Sequence, residues 1–388
     1  MRGVAITGVG IVSALGSGFA AHLTGLREGR SGLRPLTLFP AEDLGGLPVG
    51  EVAAGLVPRS RGPRCIRLAL LAARQALAGR RLEGEGVLSL GTTTGGIFES
   101  EAHYLKHRGG VGAEDRELLL HHPIGAVTEV LSRALGLSAS QHTFSTACSS
   151  SANAIGFGAS MVEREGKWAL VGGVDSLSRI TYCGFHALKL LASAPCRPFD
   201  LNRRGVSLGE GAAFLLLEPE EEARRRGTPI LGFVRGWGST SDAHHPTAPH
   251  PRGEGAAAAS LSALADAGLD PAQVDYVNAH GTATAANDLA EGLALERVFG
   301  ARPPLTSSTK GLTGHTLGAA GAIEAVLSLA ALSGGFVPAT TGLEQPDPEI
   351  RIRHVPPGGV NRPLSVVVSN SFGFGGNNAV LVLSRTAA

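Results

Sequence analysis

The chain has 388 residues, of which 43% are hydrophobic and 17% are charged, and its formal net charge is +1. This composition excludes a disordered chain, and the charge gives no argument for a nucleic-acid partner. The length suffices for one large or two medium domains. No run of about 18 uninterrupted apolar residues occurs, so no membrane-spanning helix is predicted. The four cysteines have no CxxC spacing, which argues against a disulfide scaffold or zinc knuckle and for a reducing cytoplasm.

Segments with the patterns of strands and helices alternate along the chain. The N-terminal run 4–12 contains glycines and is too short for a secretory signal, so it is predicted as a buried strand. The predicted strands are 4–12, 86–92, 168–174, 212–218, 274–279 and 365–369 continued by 378–384. The predicted helices include 65–79, 123–135, 150–164, 255–267, 287–298 and 317–333. This alternation predicts an α/β fold whose sheets are covered by helices.

A short internal similarity connects the middle of the chain with its end. Residues 209–217 (GEGAAFLLL) resemble residues 375–383 (GGNNAVLVL), because each stretch is a glycine-bearing polar turn followed by an apolar strand. Two duplicated α/β halves would explain the similarity, which is weak evidence on its own.

The most informative stretch is FSTACSSS at 144–151. Small and hydroxylic residues flank Cys148, and small apolar residues suited to a helix follow it. The pattern indicates a nucleophile at a strand-to-helix turn, where unpaired N–H groups and the helix dipole favour a thiolate. A buried structural thiol is the alternative interpretation, because free cysteine is among the most buried residue types. This stretch alone favours neither interpretation.

Two histidines of the second half lie in glycine-framed turns. His280 follows the predicted strand 274–279, at the kind of strand end where α/β proteins place ligands. His315 lies in KGLTGHTLGAAG at 310–321, whose glycines let backbone pack closely around it. A single histidine is more often structural, but two in this setting indicate catalysis. The stretch SNSFGFGGNN at 369–378 predicts either a mobile loop whose N–H groups face an oxyanion or a plain glycine turn.

Nine stretches, in one order along nearly the whole chain, resemble the elongating β-ketoacyl-acyl-carrier-protein synthases of the thiolase-fold superfamily. They are VAITGVGIVSALG, GTTTGG, STACSSSANAIG, RPFD, LGEGAA, TSDAHHPTAP, NAHGTATAAND, KGLTGHTLGAAGAIE and NSFGFGGNNA. One cysteine with two histidines resembles the elongating class, whereas initiating relatives pair cysteine with histidine and asparagine. The resemblance implies an α/β, thiolase-like fold of two duplicated halves, 1–225 and 226–388, in five layers, α-β-α-β-α.

The resemblance also implies an activity, that of an acyltransferase making 3-oxoacyl carrier proteins for fatty acid, polyketide or aryl-polyene biosynthesis. Cys148 accepts an acyl group, and a malonyl thioester then loses CO₂ and condenses with it. His280 and His315 donate Nε–H groups to the malonyl carbonyl, and Lys310 holds a positive charge near His315. The expected partners are acyl carrier protein, acting through phosphopantetheine, and a second subunit that is the same chain or a paralogue. No cofactor, metal or nucleic acid is expected, and the location is cytoplasmic.

Further site residues are implied by the same resemblance. The backbone N–H groups of Cys148 and Phe374 form an oxyanion hole for the acyl-cysteine carbonyl, and Phe372 with Phe374 resembles a gate between the two half-reactions. Glu324 and Asp288 are expected to hold the catalytic residues in position without reacting themselves.

The chain departs from the family pattern near the acyl pocket. The usual RDGF is Arg203-Arg204-Gly205-Val206 here, so an acid has become a base and an aromatic residue has become Val206. Thr94 takes the place of a bulkier apolar wall residue, and Asn377 replaces a threonine. These changes leave the length and chemistry of the acyl chain undetermined. With them, the chain resembles synthases of secondary or aryl-polyene pathways.

Other interpretations concern small clusters and other classes of protein. A metal site is an alternative for His244, His245 and His250, although their spacing fits no common ligand pattern. An arginine cluster is either a solvated surface or a docking patch for an acidic carrier protein: Arg59, Arg61, Arg64 and Arg67.

Two other classes of protein are alternatives. A non-catalytic heterodimer subunit would usually lack the cysteine, which this chain keeps as Cys148. A thiolase-like acyl-CoA enzyme would carry a second cysteine as base near its C-terminus.

Overall fold

The computed structural model of the chain describes residues 3–41, 45–60, 62–107 and 116–387. Its longer strands are β1 (Val4–Ser13), β5 (Gly86–Gly91), β6 (Ala139–Phe144), β7 (Ala169–Asp175), β8 (Gly211–Pro219), β9 (Gly232–Ser241), β15 (Val366–Gly373) and β16 (Asn377–Ser384). The short strands are β2 (Gly16–Ser17), β3 (Arg34–Pro35), β4 (Pro48–Val49), β10 (Tyr276–Asn278), β11 (Leu305–Ser307), β12 (Phe336–Val337), β13 (Arg353–His354) and β14 (Val360–Asn361).

Eleven α-helices connect these strands within the described residues. They are α1 (Phe19–Glu28), α2 (Arg64–Leu77), α3 (Ile97–His107), α4 (Gly125–Leu135), α5 (Ser150–Glu165), α6 (Arg179–Ala187), α7 (Glu220–Arg225), α8 (Glu254–Ala267), α9 (Ala285–Phe299), α10 (Lys310–Thr313) and α11 (Ala320–Gly334). A short 3₁₀ turn, Leu317–Ala319, leads directly into α11.

The main strands form two sets of five with the same arrangement. The first set runs β6-β5-β7-β8-β1 in space and the second runs β11-β10-β15-β16-β9. When the five strands of each set are numbered in chain order, their order in space is 3-2-4-5-1 in both sets. In both, the fifth strand is antiparallel to its two neighbours and the second is parallel to its two. The repeat confirms the predicted duplication, and the two similar sequence stretches form the equivalent strands β8 and β16.

Helices cover both faces of each set of strands. Helices α5 and α11 contact strands of both sets and form the middle layer, while α2 and α4 cover the first set and α8 and α9 cover the second. Along β8, Ala213, Leu215 and Leu217 pack in the core of the middle layer, and the alternate residues pack against α2. Because both faces are buried, the strands appear in the sequence as continuous apolar runs. The predicted five-layered α-β-α-β-α fold is confirmed.

The most apolar helix lies inside this middle layer. The segment Leu317–Gly334 has a mean hydropathy of 1.6 over 18 residues, so its length and composition would suit a membrane span, but 89% of it is buried in the fold. Packing between two sheets explains its composition, because a helix buried on all sides is apolar on all sides.

Several elements differ from the sequence prediction for identifiable reasons. The run predicted as 365–369 continued by 378–384 is the hairpin β15–β16, with the FGG turn between its strands. Strand β6 (ASQHTF) was not predicted because it is a partly exposed edge strand without an apolar run. Strand β9 was not predicted because glycines interrupt it. A Cβ at Gly236 or Gly238 would lie about 2 Å from a backbone oxygen of α8, so these glycines let the helix pack closely.

One member of the predicted arginine cluster, Arg64, is buried and not part of a surface patch. Arg64 is 6% exposed, and its Nε donates to Glu210 Oε2 at 2.8 Å while its Nη2 donates to the Val52 carbonyl. Its role is therefore to bridge buried parts of the first half. Arg59 is exposed, Arg67 donates to the Pro58 carbonyl, and Arg61 lies outside the described residues.

Candidate active site

Cys148 lies in the sharp turn between β6 and α5, as the sequence predicts. The turn requires a positive φ of 52° at Ala147, and side-chain hydroxyls close it. Ser149 Oγ donates to the Thr146 carbonyl at 2.7 Å, and Ser150 Oγ accepts the Thr146 N–H at 2.9 Å. These hydroxyls satisfy backbone groups that a tight turn would otherwise leave unpaired. The serines and threonine around the cysteine therefore hold its backbone in place.

The environment of the Cys148 thiol differs from the prediction of a favoured thiolate. Burial raises the pKa of this thiol to about 12, although the Lys310 charge and a hydrogen bond from the Phe374 backbone N–H lower it. Desolvation outweighs these two influences, and the resting side chain is a thiol. His315 Nε2 lies 2.9 Å from Cys148 Sγ, so it is placed to accept the thiol proton.

Two loops of the second half bring the histidines to this thiol. His280 follows β10 and His315 follows α10, each is 2% exposed, and their rings lie 5.3 Å apart at 85°. Cys148 Sγ and one nitrogen of each ring all lie within 4.8 Å of one another. Gly314 permits the approach of the second loop, because its φ is +72° and a Cβ would lie 2.7 Å from the Leu208 carbonyl oxygen. The three predicted residues are thus brought together.

Lys310 and Glu324 form a buried ion pair behind His280. Both side chains are almost fully buried, and Lys310 Nζ contacts Glu324 Oε1 directly. Lys310 Nζ also lies 3.2 Å from His280 Nδ1. Because an ammonium group can only donate, Nδ1 accepts and the His280 proton is on Nε2. Lys310 was predicted to lie near His315, whereas its direct contact is with His280, and its charge acts on both rings.

Both histidines are held in the neutral form. Burial, followed by the Lys310 charge, lowers the pKa of His280 and that of His315 well below the usual value. His315 Nδ1 is buried and has no hydrogen-bond partner among the described residues. The protein therefore fixes the tautomer of His280 through Lys310 but leaves that of His315 free to follow the state of Cys148.

Glu291 positions His280 and was missed from the sequence. Its two carboxylate oxygens accept the N–H groups of His280 at 2.8 Å and Gly281 at 2.7 Å. Asn370 Nδ2 donates to the same carboxylate at 3.0 Å, which connects this loop to β15. Two acids three residues apart on α9, Asp288 and Glu291, were the available signal, since that spacing places them on one face of a helix.

Asp288 supports the neighbouring part of the loop rather than the histidines. Its carboxylate accepts the Phe199 N–H at 2.7 Å and the Ala283 N–H at 3.1 Å, and Arg203 Nε lies 3.8 Å away. Burial raises its pKa, against the effect of these hydrogen bonds. Asp288 thus holds Ala283, whose φ is 67°, in the loop after His280.

A cavity of about 500 Å³ opens onto the three residues. Phe372 packs with its ring 5.8 Å from that of His280, and Phe374 stacks on Phe185 of α6 at 5.5 Å. Gly373 fits against the nucleophile, because a Cβ there would lie 2.9 Å from the Cys148 backbone nitrogen. The FGF stretch therefore forms one wall of the cavity, and its contact with Phe185 was not predicted from the sequence.

The two residues predicted for the acyl pocket are placed differently. Val206 is buried and lines this cavity together with Cys148. Thr94 does not line it. Its backbone N–H and its Oγ1 each lie 2.9 Å from Asp175 Oδ1, a carboxylate that also binds Thr92 and Thr93. The structure therefore gives no support for Thr94 as a wall of the acyl pocket, because its hydroxyl donates to the buried carboxylate of Asp175.

The only set of three potential metal ligands within the described residues is Cys148, His280 and His315. Cysteine sulfur and imidazole nitrogen are zinc ligands, so a metal here would occupy the thiol and both rings. Among the three histidines of the proline-rich loop, the rings of His244 and His250 lie 5.2 Å apart, and the His250 N–H donates to Asp242. His245 Nδ1 accepts the N–H groups of Thr247 and Ala248, so it stabilises its own turn.

Comparison with known proteins identifies this arrangement. Residues 1–223 match the N-terminal domain of β-ketoacyl synthases, and residues 231–344 match the C-terminal domain. The chain belongs to the β-ketoacyl synthase family. A 3-oxoacyl-[acyl-carrier-protein] synthase 2 of Synechocystis sp. is 36% identical, with 98% of each chain covered, and one of Coxiella burnetii is 34% identical over 99% of each.

Solved structures agree with the family and the fold. The ishigamide ketosynthase/chain length factor is similar with a TM-score of 0.95 and 35% identity over all of both chains. The ketosynthase ApeO in complex with its chain length factor ApeC, from Xenorhabdus doucetiae, has a TM-score of 0.87 and 33% identity over 99% of this chain and 98% of that one. The predicted family, thiolase-like fold and condensing acyltransferase class are confirmed.

Glu324 gives a pH prediction for this synthase. Burial, opposed by Lys310, raises the pKa of its carboxyl from 4.5 to about 7. Because the folded pKa lies above the unfolded value, the protonated carboxyl favours folding below pH 4.5, and this contribution is lost as pH rises through 7. The wild-type melting temperature should therefore fall by a few degrees relative to that of Glu324→Gln between pH 5 and pH 8. A difference in melting temperature between the two proteins that stays the same at every pH would contradict the raised pKa of Glu324.

Proposed function

We propose that the chain condenses an acyl group held on Cys148 with a malonyl unit delivered by acyl carrier protein. The observation that carries this proposal is the contact of the Cys148 thiol with His315, inside a cavity that also exposes the neutral His280. A nucleophile paired with a base, beside a separate hydrogen-bond donor, is the equipment that acyl transfer followed by enolate formation requires.

In the first half-reaction, His315 Nε2 accepts the Cys148 proton as Sγ attacks the acyl thioester. The new Sγ–C bond forms, the carrier C–S bond breaks, and the proton passes to the departing carrier thiolate. The N–H groups of Cys148 and Phe374 would receive the negative charge on the carbonyl oxygen. The hydrogen bond of the Phe374 N–H to the thiol supports this placement.

In the second half-reaction, both rings act on the malonyl carbonyl. His280 already carries its proton on Nε2, because Nδ1 accepts from Lys310. Once Sγ is acylated it has no proton to give, so His315 can carry its own proton on Nε2. Loss of CO₂ then leaves an enolate on these two donors, and its carbon attacks the acyl-cysteine. The C–S bond to Cys148 breaks, and one proton from solvent restores the thiol.

In this scheme the remaining predicted residues hold the reacting groups in place or enclose the cavity. Glu324 holds Lys310, and Asp288 holds the loop after His280. Phe374 and Phe372 line the cavity beside Cys148 and the two histidines, which supports their role as a gate. We also propose that the halves divide at residues 225 and 226, in agreement with family domains that end at 223 and begin at 231.

The partners are proposed on the same basis. A ketosynthase complex with a type II polyketide acyl carrier protein is similar with a TM-score of 0.90 and 28% identity over 99% of this chain. Two other similar structures contain a ketosynthase with a chain length factor, so this chain is either a homodimer or the catalytic half of such a heterodimer. The four cysteines are free, which supports a cytoplasmic location.

A continuous surface of the first half supports a subunit interface. Strand β6 is the partly exposed end of its sheet and contacts α4, which contacts the 3₁₀ turn Arg116–His121. That turn contacts α3, and α3 contacts α6. Large apolar side chains are exposed there, including Tyr104 (69%), Leu120 (73%) and Ile180 (60%). Exposed apolar surface of this kind is typical of an interface.

The nucleophile assignment predicts a covalent intermediate. Incubation with a medium-chain acyl carrier protein should add the acyl mass to Cys148, and Cys148→Ala should abolish the adduct because no other thiol lines the cavity. Intact-mass spectrometry followed by peptide mapping measures it. Cys183→Ala is the matched control, since Cys183 is more exposed but lies outside the cavity, and it should acylate normally. An adduct that persists in Cys148→Ala would refute the assignment.

Substitutions of the two histidines should affect the two half-reactions differently. His280→Ala should keep acylation of Cys148 and lose malonyl decarboxylation by about 10²–10³-fold, as expected for loss of one oxyanion donor. His315→Ala should slow both, because its Nε2 also contacts the thiol. Single-turnover acylation and CO₂ release measure the two steps. Normal decarboxylation by either variant would show that its assigned role is wrong.

Val206 should influence acyl-chain length. Val206→Phe fills part of the cavity and should shift kcat/KM toward shorter acyl groups, by about 10- to 200-fold for each excluded methylene. Thr94→Ile is the comparison, because Thr94 lies outside the cavity and loses a hydrogen bond to Asp175. It should lower the melting temperature without changing chain-length preference. Equal selectivity for wild type and Val206→Phe would show that the acyl group binds elsewhere.

The interface should determine the oligomeric state. Light scattering at micromolar concentration should give the mass of two chains, and Leu120→Lys should weaken the association because it places a charge on the apolar surface. Leu261→Lys, on the outer helix α8, should leave the mass unchanged. A wild-type chain that remains monomeric and pairs only with a paralogue would favour the heterodimer, and a monomer under both conditions would contradict the proposal.

A further inference from the structure

Two side-chain hydrogen bonds join the first turns of α5 to the second half of the chain. Ser151 Oγ accepts the Ala322 N–H of α11 at 2.9 Å. Asn153 Oδ1 accepts the indole N–H of Trp237, a residue of β9, at 3.1 Å. Asn153 is only 6% exposed, so little water competes for this bond. Because Cys148 comes from the first half and both histidines come from the second, such bonds bear on the distance between them.

The indole of Trp237 has a fixed place on α5. Gly156 makes the room for it, because a Cβ there would lie 2.1 Å from Trp237 Cγ. The Trp237 backbone N–H donates to Asp266 Oδ2 of α8 at 2.9 Å, which holds the strand at this point. The ring is half-buried and packs against the core of the middle layer. The indole N–H therefore reaches the first turns of α5 from a well-packed part of the second half.

The donor-only character of the indole determines how the Asn153 amide is turned. An indole N–H cannot accept, so the amide oxygen faces Trp237 and the amide nitrogen is left for another partner. Asn153 Nδ2 donates to Thr146 Oγ1 at 2.9 Å, and Ser149 Oγ lies 3.0 Å from the same oxygen. Thr146 directly precedes Ala147, the residue whose φ is 52°. A chain of hydrogen bonds thus runs from β9 to the strained turn of the nucleophile.

We infer that Asn153 and Trp237 are positioning residues for the Cys148 thiol. The inference rests on the proposed function, in which His315 Nε2 accepts the thiol proton across 2.9 Å. The serine hydroxyls of the turn belong to the same segment as the thiol, so they cannot fix its distance from a ring of the other half. The bond to Trp237 can, because β9 belongs to that half.

The effect of this pair should be on the reaction rate. Reacting groups lose rate steeply when they are misplaced by about 1 Å, so a loosened turn slows proton transfer and attack. Asn153 and Trp237 do not line the cavity, so neither is expected to contact the substrate. Their loss should therefore leave substrate binding unchanged.

The chain contains a matched control, because its other tryptophan is held in the same way far from the thiol. Trp168 donates its indole N–H to the Glu83 carbonyl at 2.9 Å, and a Cβ at Gly86 would lie 2.2 Å from its ring. The parallel strands β6 and β7 begin at the end of the sheet where Trp168 lies and finish at the end where Cys148 lies. Trp168→Phe and Trp237→Phe therefore remove the same group at opposite ends of the sheet.

The experiment compares Trp237→Phe, Asn153→Ala, their combination and Trp168→Phe with the wild type. Single-turnover acylation of Cys148 by a medium-chain acyl carrier protein gives the rate at saturation and the half-saturating concentration. Alkylation by iodoacetamide, followed by peptide mapping, measures the same thiol without a thioester. In that reaction the Sγ–C bond forms, iodide leaves, and the thiol proton passes to His315. The melting temperature of each protein reports its stability.

Trp237→Phe and Asn153→Ala should each slow both reactions about five- to tenfold, with the half-saturating concentration unchanged. The double variant should be no slower than Asn153→Ala alone, because both substitutions break one chain of hydrogen bonds. Trp168→Phe should lower the melting temperature about as much as Trp237→Phe and leave both rates unchanged. This comparison separates positioning of the thiol from a general loss of stability.

Three results would overturn the inference. They are wild-type rates in Trp237→Phe or Asn153→Ala, a changed half-saturating concentration at an unchanged rate, and losses that multiply in the double variant. Failure of the proposed function would appear separately, as no acylation of the wild-type thiol by carrier protein. Alkylation by iodoacetamide would still test the role of the two residues in that case.

Discussion

Desolvation governs the chemistry of this site. Burial raises the pKa of the Cys148 thiol and the Glu324 carboxyl, and it lowers the pKa of His280 and His315, so each group is pushed toward its neutral form. Lys310 is the buried cation among them, and its charge opposes burial at the thiol and reinforces it at the rings. The resting centre thus holds two neutral hydrogen-bonding rings beside one thiol. In the proposed reaction, strong negative charge develops there only when the enolate forms.

The duplication explains how these groups meet. Strand β6 and strand β11 are the third strands of their halves, and α5 and α11 are the helices that come after them in the middle layer. The Cys148 turn precedes α5 and the His315 loop precedes α11, so the nucleophile and the ring that contacts it occupy equivalent positions in the two halves. The two connections differ in backbone, because α10 and a 3₁₀ turn lie between β11 and α11, and they differ in side chains. The first half supplies a thiol, and the second supplies the rings, the cation and the FGF turn.

Those parts that depend on local patterns could be predicted from the sequence. Apolar runs indicated the strands that are covered on both faces, and glycine-framed histidines marked the loops at strand ends. Strand β9 could not be found, because its glycines are required by the close approach of α8 and dilute the apolar pattern. Glu291 and Phe185 were missed for another reason. Their roles depend on contacts between separate elements of the fold. For Glu291 the spacing from Asp288 on α9 was a local signal without a partner, and Phe185 had no local signal.

The pKa of Cys148 differs from the thiolate that the motif around it predicted. A helix N-terminus lowers the pKa of an exposed cysteine, but its influence is that of about half a charge, while full burial removes the solvation of a whole one. The sequence reveals the helix but not the depth of the thiol. In the proposed reaction, activation therefore comes from a partner that takes the proton, and the 2.9 Å contact with His315 suits that role. In that scheme the buried thiol reacts when a substrate has displaced water from the cavity, which would limit competing hydrolysis of the acyl-cysteine.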